Sequence, residues 1–256
     1  MALSDMTTRL FHLSDTHFGV ENRAALDAFA AAAAAENPDA IVCTGDLTQR
    51  ATHEQFDQAA EYFAQFEAPV IMCAGNHDMP YYNMWERFTD PYRRFRKLYA
   101  QVGGVFSSED VVLVPLKTTV RIQPRFPWSD GFVTKDALQA TKEQLAALTG
   151  DERIKIVTCH HPLLAATDEE HNETIGGDEA FATIASSGAD AVISGHIHFP
   201  FDQMRERDGR RMRMIGTGTL STRLRGALPC YSVLTCSLED GISVETRPFE
   251  SCEPAS

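Results

Sequence analysis

Five times before residue 200, a short apolar run ends abruptly in a polar cluster of Asp, Asn and His. Leu10 to Leu13 stops at Ser14-Asp15-Thr16-His17, Ala40 to Thr44 at Gly45-Asp46, and Pro69 to Cys73 at Gly75-Asn76-His77-Asp78. Ile154 to Thr158 stops at Cys159-His160-His161-Pro162, and Ala189 to Ser194 at Gly195-His196-Ile197-His198. Helical patterns separate these runs. Glu21 to Glu36 is Ala-dense and closed by Asn37-Pro38, and Thr52 to Phe66 places Phe56, Ala59, Ala60, Phe63 and Phe66 on one face. Lys135 to Leu148 follows Thr134 as a candidate N-cap, and Asp178 to Ser186 is short. Strand, helix and strand in this rhythm are βαβ units, which require a largely parallel sheet. In such sheets ligands bind just beyond the carboxyl ends of the strands, so five strand ends can deliver these side chains into one cleft.

The rest of the chain constrains less. Val111 to Leu116 reads as a further strand, and Asp208-Gly209 and Asp240-Gly241 punctuate alternating segments, so the chain is expected to close with antiparallel hairpins. Lys117 to Gly131 and Leu163 to Gly177 read as long loops, a length typical of binding loops or lids. Between Tyr81 and Tyr99 the residues Trp85, Phe88, Tyr92, Phe95 and Tyr99 recur at helical spacing, which predicts one core-facing amphipathic helix with basic outer residues.

A formal charge of −13 argues against broad contact with nucleic acid or anionic lipid. The six cysteines form no CxxC pair, and three lie in strand-like runs, which predicts reduced core thiols. The longest uninterrupted apolar stretch, Ala28 to Ala35, is eight residues, too short to span a bilayer. The first dozen residues lack the basic start and apolar region of a secretion signal, so a cytoplasmic protein is expected.

Asp and Asn oxygens with His nitrogens, and no thiolate, suit first-row divalent metals. So many groups exceed the needs of one ion, and a carboxylate such as Asp46 can bridge two. Taken in order, the motifs Asp15-Thr16-His17, Gly45-Asp46, Gly75-Asn76-His77-Asp78, His160-His161-Pro162 and Gly195-His196-Ile197-His198 resemble those of the calcineurin-like metallophosphoesterase superfamily. They span residues 10 to 200.

The resemblance implies a four-layer α/β/β/α sandwich in a single domain, 1–256, with 201–256 as closing hairpins. It implies one metal held by Asp15, His17, His198 and Asp46, and a second held by Asp46, Asn76, His160 and His196, the ions being Mn, Fe or Zn. The ligand of the adjacent pair is His160, and His161 then supports it. His77 would contact the substrate phosphate or protonate the leaving group, and Asp78 would orient His77 or the turn backbone. The reaction implied is attack of metal-bound hydroxide on phosphorus.

Compact length and the His-His-Pro motif look most like the bacterial cyclic nucleotide phosphodiesterase and glycerophosphodiesterase group, which implies a small phosphodiester substrate. A protein phosphatase, a nuclease and a nucleotide-lipid pyrophosphatase are the rival enzymes. Metal-free interaction scaffolds of the superfamily lose ligands that this chain keeps. No membrane partner is expected, and a homo-oligomer is left open. Among the other candidates, His12 reads as a packed strand residue and His171 as solvated. Arg223 and Arg225 read as surface residues paired with acids.

Overall fold

The computed structural model describes residues 7–123, 127–166 and 174–250. His171 and Cys252 lie outside the described residues, as do parts of both long loops.

Among the described residues, ten strands form two five-stranded sheets. In the first, β1 (Thr8–Leu13), β2 (Ala40–Cys43) and β3 (Val70–Met72) run parallel. Strands β9 (Cys230–Ser237) and β10 (Gly241–Pro248) extend it antiparallel on the other side of β1. In the second, β4 (Val111–Pro115), β5 (Ile154–Thr158), β6 (Ala191–Ser194) and β8 (Arg210–Gly216) are parallel. Strand β7 (Phe201–Arg207) closes that sheet as an antiparallel edge.

Three apolar clusters fill the spaces between four layers. Leu10, Val42, Ile156, Ile193, Ile215 and Leu234 pack between the sheets. Because side chains alternate along a strand, their neighbours Phe11, Leu13, Ile41 and Cys43 point outward. There they meet α1 (Arg23–Glu36) and α2 (His53–Phe63) through Leu26, Phe29, Phe56 and Phe63. On the far side, Val157, Val192 and Met214 meet Leu145 of α5 (Lys135–Ala147) and Phe181 and Ile184 of α6 (Gly177–Ser186). Helices α2 and α5 start where side chains cap them: Thr52 accepts from Gln55 N at 3.2 Å and Thr134 from Ala137 N at 3.1 Å. This is the expected α/β/β/α sandwich.

One expectation gains detail and one needs correction. The closing hairpins are present, but β7–β8 belongs to the second sheet and β9–β10 to the first, so residues 217–229 cross from one sheet to the other. The aromatic segment is not one core-facing helix. It breaks into α3 (Met84–Thr89) and α4 (Arg93–Val102) at Asp90-Pro91, because a residue before proline is driven out of helical geometry; Asp90 has φ −150° and ψ 73°. Phe95 and Tyr99 pack inward, whereas Trp85 is 80% exposed and Phe88 40%.

His12 is fully buried between the sheets, as expected of a packed strand residue, and its Nε2 lies 2.9 Å from Thr44 Oγ1. Burial pushes its pKa down to about 3, against an opposing contribution from Asp15. Between pH 3 and the ordinary value near 6.5, the unfolded chain binds a proton that the folded chain refuses. The stability His12 confers is therefore complete above 6.5 and is lost as pH falls, at up to about 1.4 kcal/mol per pH unit. Chemical denaturation of His12→Gln from pH 4 to 7 should show a shallower dependence, by close to one proton. Identical slopes for the two proteins would remove His12 from that role.

Candidate metal centre

The parallel strands of both sheets aim their carboxyl ends at one cleft, and each candidate ligand lies within a few residues of such an end. Asp15 and His17 follow β1, Asp46 follows β2, Asn76 follows β3, His160 follows β5, and His196 and His198 follow β6. Five of them take left-handed backbone: Asp15 (φ 55°), His17 (44°), Asp46 (50°), His196 (69°) and His198 (59°). That conformation costs roughly 1 kcal/mol per non-glycine residue, and such strain gathers where side chains must point a particular way. The turns also need glycine for close approach. A side chain at Gly75 would collide with Asp46, and one at Gly195 with Ser14 and Asp15.

The side chains meet acceptor to acceptor. His160 donates from Nδ1 to the Thr44 carbonyl at 2.7 Å, which leaves the Nε2 lone pair facing Asn76 Oδ1 at 3.1 Å and Asp46 Oδ2 at 3.4 Å. His198 donates from Nδ1 to the Arg223 carbonyl at 2.5 Å, and its Nε2 faces Asp15 Oδ1 at 3.1 Å and His17 Nε2 at 3.2 Å. Asp46 Oδ2 also stands 3.8 Å from His17 Nε2, so one oxygen looks toward a histidine of each set. The backbone N–H of His196 donates to Asp15 Oδ2 at 2.9 Å. Ligand atoms of Asp15, His17 and His198 lie within 4.8 Å of one another, as do those of Asp15, Asp46 and His160, and those of His160, His161 and His196.

Buried lone pairs facing one another need a cation among them. The electrostatics say the same. Burial works against a charged His160, yet Asp46, with help from Asp15 and the Thr44 carbonyl, raises its pKa to about 9. Burial also opposes the charged forms of Asp15 and Asp46, but the surrounding imidazoles hold both carboxylates well below the usual range. Burial, then His160, drives His196 down to about 3, leaving a neutral imidazole fit to ligate. Oxygen and imidazole donors without thiolate suit a divalent first-row metal.

Three neighbours of the ligands have distinct surroundings. His161 is held on both nitrogens, by Thr118 Oγ1 at 3.0 Å and the Ser129 carbonyl at 2.9 Å, so it ties Thr118 and Ser129 to the cleft. Asp78 stands behind the turn. Its carboxylate accepts from Thr48 N (2.9 Å), Leu47 N (3.2 Å) and Gly75 N (2.9 Å), pinning two ligand-bearing loops together. Burial, then the Asp46 charge, raises its pKa to about 7. His77 lies at the cleft, with its backbone N–H on Asp46 Oδ1 (2.8 Å), Nδ1 donating to the Gln49 carbonyl (2.8 Å) and Nε2 facing the Arg223 guanidinium.

Arg223 overturns its expected place as a surface residue paired with an acid. It is half-buried, and its Nη1 donates to His17 Nε2 at 3.2 Å and His77 Nε2 at 3.1 Å. The crossing segment is stitched to the β1 loop: Thr219 Oγ1 donates to Asp15 O at 2.7 Å and Asn22 N to Leu220 O at 3.0 Å. Arg225 is exposed.

The calcineurin-like phosphoesterase family profile matches residues 8–200, three-quarters of the chain. The chain belongs to this family. A probable cyclic nucleotide phosphodiesterase of Rhodopseudomonas palustris is 26% identical over 202 residues, covering 73% of this calcineurin-like phosphoesterase and 70% of that protein. The 3',5'-cyclic adenosine monophosphate phosphodiesterase CpdA of Escherichia coli is 25% identical over 220 residues, 80% and 74% of the two chains. In fold, this calcineurin-like phosphoesterase superposes on a dimetal phosphatase from Danio rerio with a TM-score of 0.66 at 12% identity, covering 95% and 99% of the chains. It is thus a metal-dependent phosphoester hydrolase. No helix among the described residues is long and apolar enough to cross a membrane.

Proposed function

We propose that the protein is a dinuclear phosphodiesterase acting on a small diester, a cyclic nucleotide or a glycerophosphodiester-like molecule, in the cytoplasm. The observation that supports it best is Asp46 Oδ2, faced by His160 at 3.4 Å and His17 at 3.8 Å, as a ligand shared by two ions would be. One metal would sit on Asp15, His17, His198 and Asp46, and the other on Asp46, Asn76, His160 and His196. When bound, such ions polarise phosphoryl oxygens and acidify water. The whole chain, 1–256, would act as one domain, since β9 and β10 complete the first sheet. The five described cysteines are free, which suits a reducing compartment.

The residues around the ligands supply the rest. Arg223 offers its guanidinium to a phosphoryl oxygen and stabilises charge gathering there in the transition state. His77, fixed through Nδ1, presents a protonated Nε2 to the leaving oxygen once the guanidinium turns from Nε2 to the phosphate. Burial lowers the His77 pKa, so the imidazole needs the anionic diester beside it to hold the proton that it passes on. Asp78 and His161 act through the backbones they pin.

The phosphodiester reading is tested with metal-reconstituted protein: bis(p-nitrophenyl) phosphate and cyclic nucleotides should turn over faster than duplex DNA. Efficient degradation of long DNA with little turnover of small diesters would make the protein a nuclease instead. The His77 role has its own signature. His77→Ala should cost about 10²–10⁴-fold with alkoxide leaving groups and much less with p-nitrophenolate, with metal content intact. An equal loss on both would make His77 a phosphate-positioning group, and loss of a metal would make it a ligand.

A further inference from the structure

A cavity of about 480 Å³ opens beside Asn76 and His77, within the size range of small-ligand sites. Its walls are flat and polarisable: Trp128, Tyr81, Met79 and Met84, with Arg87 between them. Arg87 is only 7% exposed, and its guanidinium lies 5.6 Å from the centre of the Trp128 ring. Its Nε donates to the Arg121 carbonyl at 3.0 Å and its Nη1 weakly to the Pro80 carbonyl at 3.4 Å, while no carboxylate among the described residues pairs with it. The adjacent Glu86 is already taken by Arg93 and Arg94. A guanidinium withdrawn from water without a counter-charge is costly, so its remaining N–H groups have reason to meet acceptors on a ligand.

Two lining segments have further contacts. Arg50 stacks on Tyr81 at 4.6 Å, and the Ser129 carbonyl beside Trp128 is held by His161, which adjoins the candidate ligand His160. The aromatic wall is therefore anchored to the metal cleft itself. A rigid aromatic face with an arginine fork at its edge suits a planar ring that has acceptors around its rim. A glycerol or ethanolamine limb offers no such face.

We propose that this cavity is the base-binding subsite of the enzyme: Trp128 stacks on the heteroaromatic base of a nucleotide, and Arg87 donates to acceptor atoms on the base edge. The assignment rests on the phosphodiesterase reading and narrows it, placing nucleotide diesters above glycerophosphodiesters. Sequence alone hid the subsite, because its walls come from two segments about 45 positions apart that no shared pattern connects.

The test separates binding from turnover. In the metal-loaded Trp85→Phe protein, Trp128 is the remaining tryptophan, and its fluorescence should be quenched by AMP far more strongly than by ribose 5-phosphate, which has the same phosphate and no base. By calorimetry, Trp128→Leu should weaken AMP binding about tenfold to a hundredfold, the scale of lost base stacking. In turnover, Trp128→Leu and Arg87→Lys should each cut the preference for cyclic AMP over glycerophosphoethanolamine, as a ratio of kcat/KM, by tenfold or more. Equal quenching by the two phosphates, or a substrate preference that survives both substitutions, would overturn the subsite while leaving the phosphodiesterase reading intact. Base-dependent quenching in a protein that hydrolyses no diester would uphold the subsite and refute the phosphodiesterase reading.

Discussion

Asp46→Asn should reduce diester turnover on the order of a thousandfold or more and strip metal from both positions together. The substitution removes a negative charge that faces His17 and His160 at once, so neither of the two proposed ions would keep its full ligand field. The fold should survive. Asn retains the acceptor for His77 N, and the backbone carbonyl of Asp46 still receives His17 N at 3.0 Å. Metal analysis, circular dichroism and turnover on one preparation decide the matter. Native folding with two bound metals and near-native activity would remove Asp46 from the bridging position.

Arg223→Leu should lower kcat/KM by about 10²–10³-fold with metals retained, the usual cost of losing one donor to a developing oxyanion. Retention follows from the geometry, since the backbone carbonyl of Arg223, not its side chain, orients His198. Arg223→Lys should recover part of the loss, because a point charge replaces a planar fork. A change smaller than threefold would show that the guanidinium merely fills space between His17 and His77.

The candidate ligands were legible in the sequence because each adjoins an apolar run, and βαβ order makes the carboxyl ends of those runs converge. Arg223 was not legible for the complementary reason. Arg210–Gly216 read as half of a closing hairpin, whereas in the structure β8 also pairs in parallel with β6. Its carboxyl end therefore points into the same cleft, and Gly216-Thr217-Gly218-Thr219 is a further strand-end cluster that leads to Arg223. The signal was there: a glycine-rich polar run after a strand, as in the motifs before it. Pairing partners, however, are not written in local periodicity. The aromatic segment failed differently. Helical spacing from Trp85 to Tyr99 has meaning only along one axis, and Pro91 starts a new one, so the first half turns Trp85 and Phe88 toward solvent. The pinning of Asp78 by Leu47, Thr48 and Gly75 likewise depends on two loops meeting in space, although its adjacency to Asn76-His77 marked it as a partner.

The most direct measurement is a titration of chelator-stripped protein with Mn²⁺ by calorimetry, with hydrolysis of bis(p-nitrophenyl) phosphate followed at each point. The account predicts that two equivalents bind, that turnover appears as they bind, and that His160→Ala and His198→Ala each lose one of the two. Hydrolysis unchanged by stripping, or saturation without any stoichiometric uptake of metal, would contradict it.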